Sequence, residues 1–179
     1  MLEVDEDDLF EEVKILTPKS FNDARGYFSE IYNFKTFDKN GLKLNFVQDN
    51  LSFTANKNVI RGLHFQYDPY AQDKLVRVLT GEILDVYVDI RKNSKNFGKH
   101  NKKKLSYKNN KWILIPKGFA HGFITLKEST TVLYKVTEFY KPDYENGILW
   151  NDKNINIDWG TNSPELSDKD KELGNLNEI

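Results

Sequence analysis

Short runs of alternating apolar and polar residues, closed off by Gly, Pro, Asn and Asp, recur along the 179-residue chain. A period of two is what a β-strand shows when one face meets a core and the other does not. The cleanest case is residues 83–90, where Leu84, Val86, Val88 and Ile90 fall on one face and Asp85, Tyr87 and Asp89 on the other. This predicts a half-buried strand. Thr80-Gly81-Glu82 precedes it and predicts a tight hairpin back to residues 75–79. Further strands are predicted at residues 13–16, closed by Pro18, and in an aromatic stretch after a turn at Asn22-Asp23 and Gly26. Residues 46–53, 112–115, 123–126 and 130–140 repeat the pattern. Helix signals are few. Residues 33–43 could form a short helix ending at Asn40-Gly41, and residues 167–173 another, with Ser167 as cap and Asp170 at the third helical position. Many short strands, little helix and a length that favours one domain predict an all-β sandwich or barrel over residues 1–179, and the jelly roll fits best. Residues 1–12 read as an acidic end that is either mobile or docked on a partner.

Composition narrows the function. An apolar fraction of 39%, with 13% aromatics, is enough for a real core, and a net charge of −1 leaves no whole-chain field for nucleic acid or a membrane surface. An anionic ligand would have to be met by a local basic cluster. The longest basic run, residues 99–104, reads as a solvated loop face. Cysteine is absent, which removes disulfides, thiolate nucleophiles and Cys-ligated zinc together and favours an intracellular, cytoplasmic setting. No stretch approaches 18 apolar residues and the first residues are acidic, so neither a membrane span nor a signal peptide is expected.

The chemistry concentrates in residues 58–79. Arg61 and His64 stand three apart on one predicted strand, a Pro-containing turn follows, and Lys74 opens a second strand, so the three are expected in one small hairpin. A histidine suits proton transfer near neutral pH, and a cation beside it can hold the negative charge that such a transfer creates. Gln66 shares a strand face with His64. Arg61 and His64 have opposite parity, so both reach one pocket only if Gly62 marks a bulge. Asn58, ahead of the Val-Ile-Arg-Gly turn, is tolerable there if it takes a left-handed conformation. Tyr134 and Tyr140 share parity on one predicted strand, and either face a site together or pack in an interface. A metal site is not expected: the chain has three histidines, Gln66 stands where a His-x-His pair would continue from His64, and His100 lies in the lysine-rich run.

The string Pro116-Lys117-Gly118-Phe119-Ala120-His121 resembles the second half of the cupin signature. Taken with it are Asp23-x-Arg25-Gly26-x-Phe28-x-Glu30, Gln48-Asp49-Asn50, Arg61-Gly62-Leu63-His64-x-Gln66, Gln72-x-Lys74-Leu75-Val76, Ile115-Pro116-x-Gly118-Phe119-Ala120-His121-Gly122-Phe123, Tyr134-Lys135, Gly147-Ile148-x-Trp150-Asn151-Asp152 and Leu166-Ser167-x-Lys169-Asp170. In this order, from about residue 13 to 170, they resemble the dTDP-4-dehydrorhamnose 3,5-epimerase family, cupin-fold isomerases of nucleotide-linked 4-keto-6-deoxy sugars. The resemblance implies His64 as proton acceptor, Tyr134 as proton donor, Asp170 as the partner of His64, and Lys74 beside the C4 keto oxygen. It places Tyr140 against the nucleotide base. Arg25, Glu30, Gln48, Asp49, Asn50, Arg61, His121, Glu145 and Lys169 are implied around the sugar, diphosphate or base, and Gln66 joins them by its strand face. It also implies no cofactor and no metal, a nucleotide-diphosphate-sugar substrate, and a homodimer in which part of the 25–30 region reaches a neighbour's site. Asp73 departs from the family pattern by placing a carboxylate next to Lys74 where a small residue is usual, which would disfavour a phosphorylated ligand. Alternatives are a cupin-fold 3,4-ketoisomerase, a metal-dependent cupin oxygenase and a sugar-binding module.

Overall fold

The structure, a computed structural model, describes residues 2–179. Two antiparallel sheets face each other. The six-stranded sheet has the order β1 (Leu2–Glu6), β2 (Lys14–Pro18), β10 (Trp112–Ile115), β7 (Lys74–Thr80), β12 (Thr130–Val136), β5 (Gln48–Thr54). The five-stranded sheet runs β13 (Glu145–Gly147), β6 (Ile60–Gln66), β11 (Phe119–Thr125), β8 (Glu82–Asp89), β9 (His100–Ser106). A separate hairpin is formed by β3 (Ser20–Asp23) and β4 (Gly26–Ser29). Two short helices complete the fold: α1 (Phe34–Lys39), capped by the Asn33 side chain, and α2 (Asp168–Lys171), capped by Ser167. This is the all-β, cupin-like sandwich that the turn-punctuated pattern predicts.

Strand alternation sorts the apolar residues into three layers. Val76, Val78, Ile83, Tyr87, Phe119, Phe123 and Val132 point between the sheets. Leu63, Val86, Val88, Ala120 and Ile124 line the outer face of the five-stranded sheet, under Ile148, Ile155, Trp159 and Leu176 from the C-terminal segment. Leu16, Leu75, Trp112 and Leu114 line the outer face of the six-stranded sheet, under Phe37 and Leu42 around α1. Both sheets are therefore covered on both faces over much of their area.

That covering corrects several expectations. Strand β8 alternates as predicted but is not half-buried, because Asp85, Tyr87 and Asp89 face the space between the sheets and are fully buried. Strands β7 and β8 do not pair: residues 80–82, expected as a hairpin, carry the chain from one sheet to the other. Gly81 takes φ +80° there, and a Cβ on it would meet Thr130. β6 and β7 also belong to different sheets, so residues 58–79 cross the sandwich instead of forming a hairpin. The basic run is strand β9, with Lys102, Lys103 and Lys104 paired to Asp158, to Asp7 and Asp8, and to Glu82, so it is not a loop. In the acidic end, Met1 lies outside the described residues; residues 2–6 form edge strand β1, Phe10 enters the core, and buried Asp7 accepts the Tyr87 hydroxyl at 2.7 Å. Strand β12 ends at Val136, so Tyr140 lies beyond it.

One local irregularity positions the site. His121 pairs with His64 and Phe123 with Arg61, so two steps along β11 oppose three along β6. The extra residue is the expected bulge at Gly62, which has φ +125°. Asn58 takes the left-handed conformation that makes it tolerable there, at φ 62°. A Cβ on Gly62 would come within 2.5 Å of Gly122 Cα and 2.8 Å of the His121 carbonyl oxygen, so neither strand can give way cheaply. Gly62→Ala should therefore lower unfolding stability by about 2 kcal/mol or more; a denaturant midpoint equal to that of the unmodified protein would contradict this account.

Candidate active site

Two adjoining hollows, about 300 and 480 Å³, open at one mouth of the sandwich and share His64, Lys74 and Tyr134. Parity explains the convergence. Lys74 continues the inward row of Val76 and Val78 on β7, and Tyr134 lies between inward Val132 and Val136 on β12. His64 follows the bulge on β6, from the opposite sheet.

His64 Nε2 meets Asp170 Oδ1 at 2.6 Å. The carboxylate fixes the ring proton on Nε2 and leaves Nδ1 as the basic nitrogen. Asp170 itself is tied down by the Ser167 Oγ that its N–H reaches at 3.1 Å and by the Gly62 N–H, 3.4 Å from Oδ2. Burial works to raise the Asp170 pKa, but the His64 hydrogen bond and charge and the Gly62 and Ser167 contacts outweigh it and hold it below the ordinary carboxylate value. Lys74 Nζ donates to the His64 carbonyl at 3.1 Å. Burial pushes its pKa down to about 8, against the pull of Glu145 and Asp85. Burial also raises the Tyr134 phenol, with Glu145 adding to it and Arg61 opposing, so the hydroxyl keeps its proton at neutral pH.

The predicted binding residues divide. Gln48, Asn50, Gln66, Tyr140 and Glu145 line the first hollow, and Arg61 and His121 the second. Gln66 is fully occupied: its amide donates to the Tyr70 and Phe139 carbonyls and accepts from the Lys141 N–H, so it holds the segment carrying Tyr140. Tyr140 donates its hydroxyl to Glu145 at 2.7 Å, and Lys169 pairs with the same carboxylate. Burial alone would raise the Glu145 pKa; those two hydrogen bonds outweigh it and keep the group ionised. Asp49 has outward parity on β5 and pairs with Lys135 instead. Arg25 and Glu30 lie outside both hollows, Arg25 on the β3–β4 turn in an ion pair with Asp23. Asp73 lines neither hollow and accepts from Thr137 Oγ1 and the Lys117 N–H, so its carboxylate joins three segments. Sequence reasoning passed over Gln72 and Ser52, which line the hollows, and Asp85 beneath them. Only the inward parity of Ser52, shared with Gln48 and Asn50, could have found it.

The sequence model for dTDP-4-dehydrorhamnose 3,5-epimerase matches residues 8–178. The chain belongs to that family. A dTDP-4-dehydrorhamnose 3,5-epimerase of Shigella flexneri is 51% identical over 89% of this chain and 88% of its own length. Its Salmonella typhimurium counterpart is 53% identical over 89% and 87%. Among solved structures, the Bacillus anthracis enzyme with TDP and pyrophosphate bound superposes with a TM-score of 0.95 at 47% identity, covering 98% of this chain and 99% of that one. A Legionella pneumophila member in complex with dTDP-4-keto-L-rhamnose gives 0.94 at 40% identity over 100% and 95%. The epimerase family thus accounts for the fold.

A lysine this desolvated should stand apart in titration. With lysines reductively ¹³C-methylated, one resonance should pass from ammonium to amine near pH 8, well below the value of an unperturbed lysine, about 10.4. It should be missing in Lys74→Ala; if the same low titration persists there, the shift belongs to another lysine.

Proposed function

We propose that this protein inverts C3 and C5 of a dTDP-linked 4-keto-6-deoxyhexose, a step of deoxysugar biosynthesis of the rhamnose type. The observation that carries the reading is that His64 and Tyr134 come from opposite sheets and border the same hollow, with Lys74 between them. A hydrogen on carbon next to a ketone becomes acidic once the enolate oxygen is stabilised, and the Lys74 ammonium supplies that charge in a site of low dielectric. His64 Nδ1 takes the proton, and Asp170 stabilises the imidazolium that forms. Tyr134 returns a proton from the other side. Tyr140 stacks on the base, Gln48 and Asn50 line its approach, and Arg61, His121 and Lys169 contact the sugar or diphosphate.

The working form is a homodimer. Phe21, Tyr27 and Phe28 on the β3–β4 hairpin and Leu51 and Phe53 on the open edge strand β5 are large apolar side chains left exposed, which a second copy would cover. In that arrangement Arg25 and Glu30, which stand outside their own chain's hollows, serve the neighbour's site.

With the dTDP-linked keto sugar in D₂O, His64→Asn should lose deuterium exchange and inversion together, by on the order of 10² to 10⁴-fold. Tyr134→Phe should still exchange deuterium at the abstracted position while inverted product nearly disappears; parallel loss or parallel retention of the two would remove Tyr134 from the donor role. Phe28→Asp should shift sedimentation from dimer to monomer and reduce turnover, and a fully active monomer would contradict the shared site.

A further inference from the structure

Beneath the second hollow lies another histidine and carboxylate pair. His121 Nε2 meets Asp85 Oδ2 at 2.8 Å, and both side chains are buried, Asp85 completely. His121 is the direct cross-strand partner of His64, so the two imidazoles are side by side on one face of the five-stranded sheet. Each is backed by its own carboxylate. Asp85 differs from Asp170 in one respect: its Oδ1 is buried with no hydrogen-bond partner, whereas both Asp170 oxygens are engaged. A fully buried carboxylate with one oxygen unpartnered costs stability.

Lys74, from β7 on the opposing sheet, and His121, from β11, are the groups whose fields act on Asp85. Tyr87, on the same strand, feels the Asp85 charge but gives its hydroxyl to Asp7. Lys103, the β9 residue opposite Asp85, is drawn to Asp7 and Asp8. On the Lys74 side the remaining neighbours are Glu145, His64 and Tyr134, with Arg61 beyond Tyr134. Glu145 is already committed to Tyr140 and Lys169.

We propose that Asp85 is a positioning residue for the reaction: its hydrogen bond fixes the His121 ring with Nδ1 left for the ligand, and its buried charge keeps Lys74 an ammonium under the ketone. It touches no substrate and acts through these two groups. The inference rests on the epimerase reading above, in which Lys74 answers the enolate oxygen.

The test is Asp85→Asn, read two ways. In the ligand-free protein the low Lys74 titration should fall by about one further pH unit, because an opposite charge beside it has gone. With the keto sugar, the alkaline limb of kcat/KM should move down by the same amount, and kcat should drop more than tenfold while KM changes less than threefold. A role in packing alone predicts a lower melting temperature with the Lys74 titration and the limb unmoved, and that result overturns the proposal. Should Asp85→Asn fail to fold by circular dichroism, Asp85→Ala, which removes the buried charge without adding volume, is read in the same way. The Lys74 titration needs no substrate, so it can sink this proposal independently; turnover of the keto sugar by the unmodified enzyme separately tests the epimerase reading.

Discussion

The contact of Gly62 on Gly122 is the constraint from which the site follows. Without side chains at these two positions, β6 and β11 approach closely enough for the bulge to fit, and the bulge turns β6 by one residue. A regular strand would put Arg61 and His64 on opposite faces. The irregularity lets both border one opening, and leaves His64 beside His121. It also frees the Gly62 N–H to reach Asp170, so the same distortion that aims His64 holds its carboxylate partner.

Two of the buried carboxylates between the sheets, Asp7 and Asp85, are treated in opposite ways. Asp7, at the end packed with Phe10, receives the Leu9 and Phe10 N–H groups, the Tyr87 hydroxyl and the Asn101 amide. Burial would raise its pKa, but those bonds outweigh it and the group is held low, as a structural anion should be. Asp85, at the mouth, has one hydrogen bond; burial raises its pKa, and the fields of His121 and Lys74 only partly oppose this. A saturated polar network fixes a core, whereas an undersatisfied one stays responsive to the charge of its neighbours. The molecule is accordingly stiff at one end and electrostatically poised at the other.

The strands were legible because alternation is a local property. Which sheet each strand joins is not local, and there the sequence pattern misled. Thr80-Gly81-Glu82 has the composition of a hairpin turn, yet Gly81 serves a corner between sheets. Polar residues facing an enclosed pocket look identical, in period, to polar residues facing water, so Asp85 and Asp89 read as a solvated face. The same ambiguity hid β9, whose lysines are long enough to lie in a strand and still reach Asp158, Asp8 and Glu82. Edge strand β1 was obscured by its acidic residues, which suit an unpaired edge that must not recruit another strand. His64, Lys74, Tyr134 and Asp170 were legible as a set only through the family's motifs, since nothing in spacing alone says that residues 106 apart meet at 2.6 Å.

A sandwich is well matched to inversion at carbon. Moving a proton off one face of a sugar ring and onto the other requires two groups that never lie on the same side. Two sheets give two walls, and the chain places one group on each: His64 on the five-stranded sheet, backed by Asp170, and Tyr134 on the six-stranded sheet, beside Lys74 two strands' width from the edge. The environments then separate their chemistry. The imidazole has a carboxylate behind it to accept a positive charge, while the phenol is desolvated near Glu145 and stays protonated. Lys74 reaches across the gap to the His64 carbonyl, so the cation proposed to meet the ketone also ties the two walls together. In the proposed mechanism the acid and the base differ because the two sheets differ, and the ring needs only to lie flat between them.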